Sequence, residues 1–343
     1  MSELTINSVC EFLHASGSQF TIIDMGRGFR VMSEQTFLDI EYQRLPAPFP
    51  RQQHIWIGCI FWNPSLSAQH FIWFLKLPLD ERGLLNQAAR NMFLEKVIQA
   101  LGAELEKSEA QNGQLGDNPF TFVPTQAQLA MFNAIAKQQL GLALDGAKPA
   151  IAYITAPEQH DWQVLSLQAL AEVTVQQGDA SISALLQKQL FKLAPVVQKT
   201  LLENLEHVAL HKPLAVLIHK QLHLGLADYP KDEITLHTCI RALTRAPLEL
   251  QQQACKSVLA QSSLTTDTLI LLSARWMEAL ADHNLMLLFL THLSVQSDDI
   301  FAGLYQDLVQ VPCTRAILLP LLHDKNIPTA IQTKLSSIFG QRL

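Results

Sequence analysis

PVVQKTLLENLEHVALHKPLAVLIHKQLHLGLADYPKDEITLHTCIRALTRAP, residues 195–247, decides the larger part of the fold. Its prolines, Pro195, Pro213, Pro230 and Pro247, recur at intervals of eighteen, seventeen and seventeen residues. After each one the apolar residues fall at helical spacing, as over residues 196–207, 214–224 and, just beyond the stretch, 248–260. Proline suits a first helical turn, because the N–H it lacks would have no intrahelical acceptor there. The stretch therefore reads as helix after helix, each announced by a proline.

The rhythm extends in both directions. Pro312 and Pro328 are sixteen residues apart, with a helix expected over residues 329–339. Between Pro247 and Pro312, helix starts are expected near Thr266, Asn284 and Asp298. Upstream, Thr125 reads as the N-cap of a helix over residues 126–140 stopped by Gly141, Asp161 as the cap of 162–177 stopped by Gly178, and Asp179 as the cap of 181–193. A helix and turn of about seventeen residues make a pair of about thirty-four, the length of helical arrays in which each pair buries its face against its neighbours. That is short for a HEAT repeat and equals the tetratricopeptide length, but the W…LG…Y pattern is absent. An irregular HEAT-like array is expected over residues 125–343, with a compact helical bundle as the alternative.

The first hundred residues carry another pattern. Residues 4–15 place Leu4, Val9, Phe12 and Leu13 near one helical face, with Gly17 as the stop. Two β-rich runs, residues 20–25 and 29–32, flank Gly26-Arg27-Gly28 and predict a hairpin. Ser33 is a suitable N-cap for a helix to about residue 43, ended by Pro46, Pro48 and Pro50. IWIGCIFW, residues 55–62, and FIWFLKL, residues 71–77, flank Asn63-Pro64-Ser65 and predict a second hairpin. Trp56, Ile60 and Trp62 share one face of the first run, and Ile55, Ile57, Cys59 and Phe61 share the other. Helices are therefore expected on both faces of the sheet, the alternative being a Trp-rich binding surface. A long helix follows over residues 84–105. The chain divides into an α+β domain with a small antiparallel sheet (1–107), a polar, Gly-containing linker (108–124) and an all-α helical-repeat domain (125–343).

Composition narrows the function. With 48% hydrophobic and 16% charged residues the chain has the material for a large core and none of the marks of disorder. A net charge of −6 argues against a general nucleic-acid binder, whose affinity rests on Lys and Arg at phosphates. The five cysteines are odd in number, widely spaced and without a CxxC, which fits reduced thiols better than a disulfide framework. No signal peptide is expected, and the longest apolar runs fall well short of the roughly 20 residues that span a bilayer. A soluble, cytoplasmic chain with no membrane partner is the expectation.

DMGRG at residues 24–28, the block HFIWFLKLPLDERGLLNQAAR at residues 70–90 and the helical tail together resemble a family of uncharacterised bacterial proteins known as a domain of unknown function. The resemblance spans the whole chain and is most specific over residues 70–90. It implies no activity, ligand, cofactor or catalytic residue.

Among candidate sites, histidine is the sharpest. His207 and His211, then His219 and His223, are spaced i,i+4, which puts two imidazoles on one helical face and can hold zinc. A third ligand and a base are missing from HVALH, so surface or interhelical histidines are the plainer reading. Arg27 in the Gly-Arg-Gly turn could meet a phosphate, though the longer glycine fingerprint is absent and a hairpin turn suffices. Asp80-Glu81 and Asp298-Asp299 stand where acids complement a helix N-terminus. Trp56, Trp62 and Trp73 are the candidates for a binding surface, while Trp162, Trp276 and Tyr305 read as core. No catalytic residue and no cofactor are assigned. The expected function is a non-enzymatic interaction or adaptor protein, with another protein as partner and a helical-repeat surface as the contact. Two alternatives stay open: an enzyme, metal-dependent or not, with a site between the two parts or around residues 207–223, and nucleic-acid binding through a local patch of Arg27, Arg30, Arg44 and Arg51.

Overall fold

Serine, threonine and aspartate before an apolar repeat start a helix because their side chains accept the first free N–H groups. In the first part of the chain Ser8 and Ser33 do this, accepting from Glu11 N and Thr36 N. The computed structural model describes residues 7–65, 69–106, 118–324 and 326–340. Two compact units emerge, Met1–Pro124 and Thr125–Leu343.

The first unit runs α1 (Val9–Ala15), β1 (Gln19–Asp24), β2 (Arg30–Met32), α2 (Glu34–Glu41), β3 (His54–Trp62), β4 (His70–Pro78) and α3 (Gln87–Glu106). Both predicted hairpins form, and β1 pairs with β3, so the four strands make one antiparallel sheet in the order β2-β1-β3-β4. Ile22 stands opposite Cys59, and Ile57 opposite Leu75, which sets Ile22, Ile55, Ile57, Cys59, Leu75 and Leu77 on one face. Against that face pack Val9, Cys10 and Leu13 of α1, Phe37 and Ile40 of α2, and Phe93 and Val97 of α3. The three helices among the described residues of this unit thus share one face of the sheet, where helices on both were expected. Ile23, Trp56, Ile60, Trp62 and Phe74 point to the other, as the period-two alternation of a strand requires.

The long helix begins at Gln87 rather than residue 84, because Asn86 accepts from Ala89 N–H and Asp80 accepts from the N–H groups of Arg82 and Leu84. Asp80 therefore closes a turn ahead of the helix instead of complementing its N-terminus. Residues 107–117, most of the expected linker, lie outside the described residues, as do residues 4–6 of the first expected helix. Asn118–Phe122 lie along the outer edge of β4, with Lys76 N–H donating to Phe120 O and Phe122 N–H to Phe74 O.

In the second unit the helices are α4 (Gln126–Gln139), α5 (Lys148–Thr155), α6 (Leu167–Val175), α7 (Ala180–Gln189), α8 (Pro195–Leu205), α9 (Lys212–Ala227) and α10 (Glu233–Ala242). They continue as α11 (Leu248–Leu259), α12 (Thr266–Arg275), α13 (Met277–Leu280), α14 (His283–Ser294), α15 (Asp298–Gln310), α16 (Pro312–Leu321) and α17 (Thr329–Phe339). Thr125 and Gln128 form a capping box at α4, and Gly141 follows the helix at φ +66°. Prolines sit in the first turns of α8, α9 and α16 and at the N-caps of α11 and α17. Pro230 does not open a helix; Asp232 caps α10 and accepts from Thr235 N–H. The helix expected over 162–177 is in two pieces. Asp161 caps only a 3-10 turn, Trp162–Val164, and Ser166 then takes the Ala169 N–H and starts α6 afresh. Two helices were not foreseen, α5 and the four-residue α13, both too short to register as a repeat of apolar positions.

Besides contacts between consecutive helices, such as α9 with α10 and α15 with α16, helices pack on others further along the chain. α4, α6, α8, α10, α12 and α15 each pack on the next to form one row, and α5, α7, α9, α11, α14 and α17 form a second. One continuous core runs between the rows from Ala147 to Leu335.

Candidate functional site

The histidines are the first test. α8 ends at Leu205 and α9 begins at Lys212, so His207 and His211 stand on opposite sides of a turn and share no helical face. His219 and His223 do share a face of α9, with ring centroids 4.6 Å apart at 74°, the edge-to-face packing of an aromatic pair. Among the described residues, no group of three or more His, Cys, Asp or Glu is gathered to hold a metal.

The Gly-Arg-Gly turn is next. Gly26 is required by close approach: a Cβ there would fall 2.1 Å from the carbonyl oxygen of Phe49. That carbonyl belongs to the proline-rich segment, which folds back over the turn, and Arg27 runs inward to donate from Nε to Pro50 O at 2.7 Å. Arg27 is 4% exposed and turned to the protein interior, which corrects its reading as a residue offered to a phosphate. Beside it Asp24 is buried, with Oδ1 accepting from Gly26 N–H and Oδ2 without a hydrogen-bond partner. Burial pushes its carboxyl up to about 7, against the Gly26 N–H, Arg30 and Arg27, which pull it down. Arg30 lies over the Phe49 ring at 4.2 Å and Arg51 over the Trp56 ring at 4.9 Å, while Arg44 pairs with Asp39. The four arginines proposed as one patch thus serve separate local contacts.

The tryptophans divide in the same way. Trp56 donates to Arg51 O and packs edge-on to Phe122 at 4.8 Å. Trp62 shares that face of β3, but Trp73 lies on the opposite face, packed on Phe61 at 4.5 Å and Phe93 at 5.6 Å. Trp73 is partly buried and packs against the core of the first unit. Trp276 and Tyr305 are buried as expected, with Trp276 Nε1 donating to Ile240 O at 2.9 Å.

Two buried clusters had not been foreseen. In the first unit Glu41, fully buried, accepts from Val9 N–H and Cys10 N–H with its two carboxylate oxygens. It thereby caps α1 from another helix and meets the positive end of its dipole. Arg90, also buried, donates to Glu41 O at 2.6 Å.

In the second unit, charged residues stand in or just past the last turn of five helices of one row: Lys137, Glu172, Glu206, Arg241 and Arg275, separated by 35, 34, 35 and 34 residues. Lys137 Nζ is 2.7 Å from Glu172, whose side chain is wholly enclosed and lies against Gly146. Glu206 meets both Arg241 and Arg275 at 3.0 Å. Burial works to raise the Glu206 carboxyl, but Arg275 and Arg241 together hold it below the usual range. Neighbouring His207 is pushed down to about 4 by burial, which outweighs the attraction of Glu206, so it is neutral at pH 7. Three arrangements repeat at similar distance: Gln138 Nε2 donates to Val175 O, Gln177 Nε2 to Ala209 O, and Trp276 Nε1 to Ile240 O. The spacing of charged residues near 34 was available in the sequence. It was hidden because the type of residue changes along the row.

The chemistry of these groups is that of joints. Cys10, Cys59, Cys239 and Cys255 are buried and their thiols are raised by burial, the opposite of an activated nucleophile. Among the described residues no helix is long and apolar enough to cross a membrane.

No curated protein and no solved structure matches this chain. The family model described as "Protein of unknown function (DUF3549)" matches residues 4–339, nearly the whole length, and takes in both units. The chain belongs to the DUF3549 family.

Proposed function

We propose that this chain is a non-enzymatic interaction protein of the bacterial cytoplasm, and that its second unit is a HEAT-like helical array offering a long surface to a protein partner. The observation that carries the reading is the charge ladder of Lys137, Glu172, Glu206, Arg241 and Arg275 at intervals of 34–35 residues. A joint that recurs at the helix-pair interval is what an array of stacked pairs requires, since each pair buries its face only against its neighbours. Arrays of this kind present whole rows of helices side by side, a surface suited to long partners. The buried carboxylates Glu172 and Glu206 are engaged inside these joints, which favours a scaffold over a site of chemistry. Free thiols at all five cysteines accord with a reducing compartment.

The test is affinity capture of the full chain expressed at its native level, followed by reconstitution of the captured partner from purified components. A partner that co-elutes with the chain at fixed stoichiometry is the expected result. A chain that runs alone in both experiments would sink the reading.

A further inference from the structure

Several glutamines of the second unit share one use. Gln138, Gln177, Gln198, Gln251 and Gln332 each donate from the side-chain amide to a backbone carbonyl, clamping the end of a helix or the turn beside it. The two residues after Gln251 are placed differently. The side chains of Gln252 and Gln253 make no hydrogen bond to the described residues, and neither does that of Asn284 on the neighbouring helix. All three line a groove of about 400 Å³ between α11 and α14, within the size range of ligand sites.

The remaining lining specifies more. Leu285 forms the apolar floor and Leu288, 40% exposed, stands beside it on the next turn of α14. Glu249 and Lys256 lie on the α11 side, seven residues apart. Seven residues of helix rise about 10 Å, and an extended chain covers that distance in about three residues. Asp282 also borders the groove, but its carboxylate is engaged as the N-cap of α14 by Asn284 N–H and Leu285 N–H.

We propose that this groove docks an extended peptide segment of another protein. One apolar side chain sits on Leu285 and Leu288, and the amides of Gln252, Gln253 and Asn284 hold the peptide backbone. A basic residue meets Glu249, and an acidic residue three positions away meets Lys256. A primary amide both donates and accepts, so it pairs with the C=O and N–H of an extended backbone, as its neighbours already do with carbonyls of this chain. The inference rests on the reading of the chain as an interaction protein and adds the location and the class of partner.

The experiment uses the full chain and a positional-scanning library of fluorescein-labelled hexapeptides, read by polarisation. Enrichment of an apolar residue between a basic and an acidic residue three positions apart is the expected result. Leu288→Asp lowers the affinity of the selected peptide tenfold or more, and Gln252→Ala with Gln253→Ala lowers it by a comparable factor. Glu249→Lys combined with Lys256→Glu reverses the preferred order of the two charges. These positions are at the surface, and an unchanged melting temperature verifies each variant's fold. A library without this pattern, or a selected peptide that binds all variants equally, overturns the proposal. If a stoichiometric partner is then still captured equally by the wild-type chain and by Leu288→Asp, the groove is excluded and the interaction reading stands. If no partner is captured either, both fall.

Discussion

The sheet unit and the helical unit bury charge in different ways. In the sheet unit charged side chains are satisfied by backbone: Glu41 by the N–H groups of Val9 and Cys10, Arg27 by Pro50 O, Arg90 by Glu41 O. In the helical unit they are satisfied by one another, across neighbouring helices of one row. The difference follows from geometry. Strands, turns and helices meet in the sheet unit at contacts that occur once each, so Glu41, Arg27 and Arg90 are each met by the backbone that lies nearest. Helices stacked in register meet at the same positions each time, so an acid on one can answer a base on the next. The comparison teaches that a buried charge is legible in sequence only where its joint is repeated.

Removing the central carboxylate of the ladder breaks the comparison most directly. Glu206→Gln leaves Arg241 and Arg275 facing each other without a counter-charge. It is expected to cost about 4 kcal/mol, read as a fall in the urea midpoint with hydrogen exchange rising in α10 and α12 and unchanged in β3. Equal loss of protection in both units would mean that the joint is not local.

Acidity separates the two units by sign. Asp24 keeps its proton to about pH 7 when folded and loses it near 3.8 when unfolded, so its contribution favours the fold at low pH and is lost as pH rises through 7. His207 is the reverse: its contribution is present above 6.5 and is lost as pH falls toward 4. Each pH unit between the folded and unfolded values is worth about 1.4 kcal/mol, so the limits are roughly 4 kcal/mol for Asp24 and roughly 3 kcal/mol for His207. Asp24→Asn is therefore expected to stabilise the chain at pH 8 relative to wild type and to change little at pH 4. His207→Gln is expected to make stability less steep between pH 6.5 and 4. Unfolding curves from pH 4 to 8 check both, and changes in slope of the same sign, relative to wild type, in the two variants would refute the contrast.

Smaller effects sharpen it. Gln52 and Gln53 hold left-handed backbone, φ +52° and +57°, in the tight turn between Arg51 and His54. Gln53→Gly should stabilise the sheet unit by about 1 kcal/mol, because glycine adopts that conformation without the steric cost. Thr125→Ala should destabilise the helical unit by about 1 kcal/mol through loss of its capping box. Thermal unfolding measures each, and a shift of the opposite sign in either would show that the turn or the cap is not as described.

Much of the fold was legible from local chemistry. Thr125, Asp179, Ser33 and the prolines before α8, α11 and α17 set helix starts within a residue or two of those observed. The candidate sites were less legible. His207 and His211 satisfy a helical spacing that no helix carries, because a spacing rule cannot tell that α8 ends between Leu205 and the turn. Trp73 looked like Trp56 and Trp62, since an apolar strand reads the same from either face until its covering helices are known.

Sequence by itself determined where many of the helices begin and where the hairpins turn, because caps, turn residues and apolar periodicity act over a few neighbouring residues. Only the tertiary structure decided that Glu41 caps α1, that Gly26 and Arg27 are held against Phe49 and Pro50, and that Glu206 joins Arg241 to Arg275, since each of these brings together residues more than twenty positions apart. Such contacts depend on which faces are buried against each other, and burial is set by the packing of the whole unit rather than by any one segment.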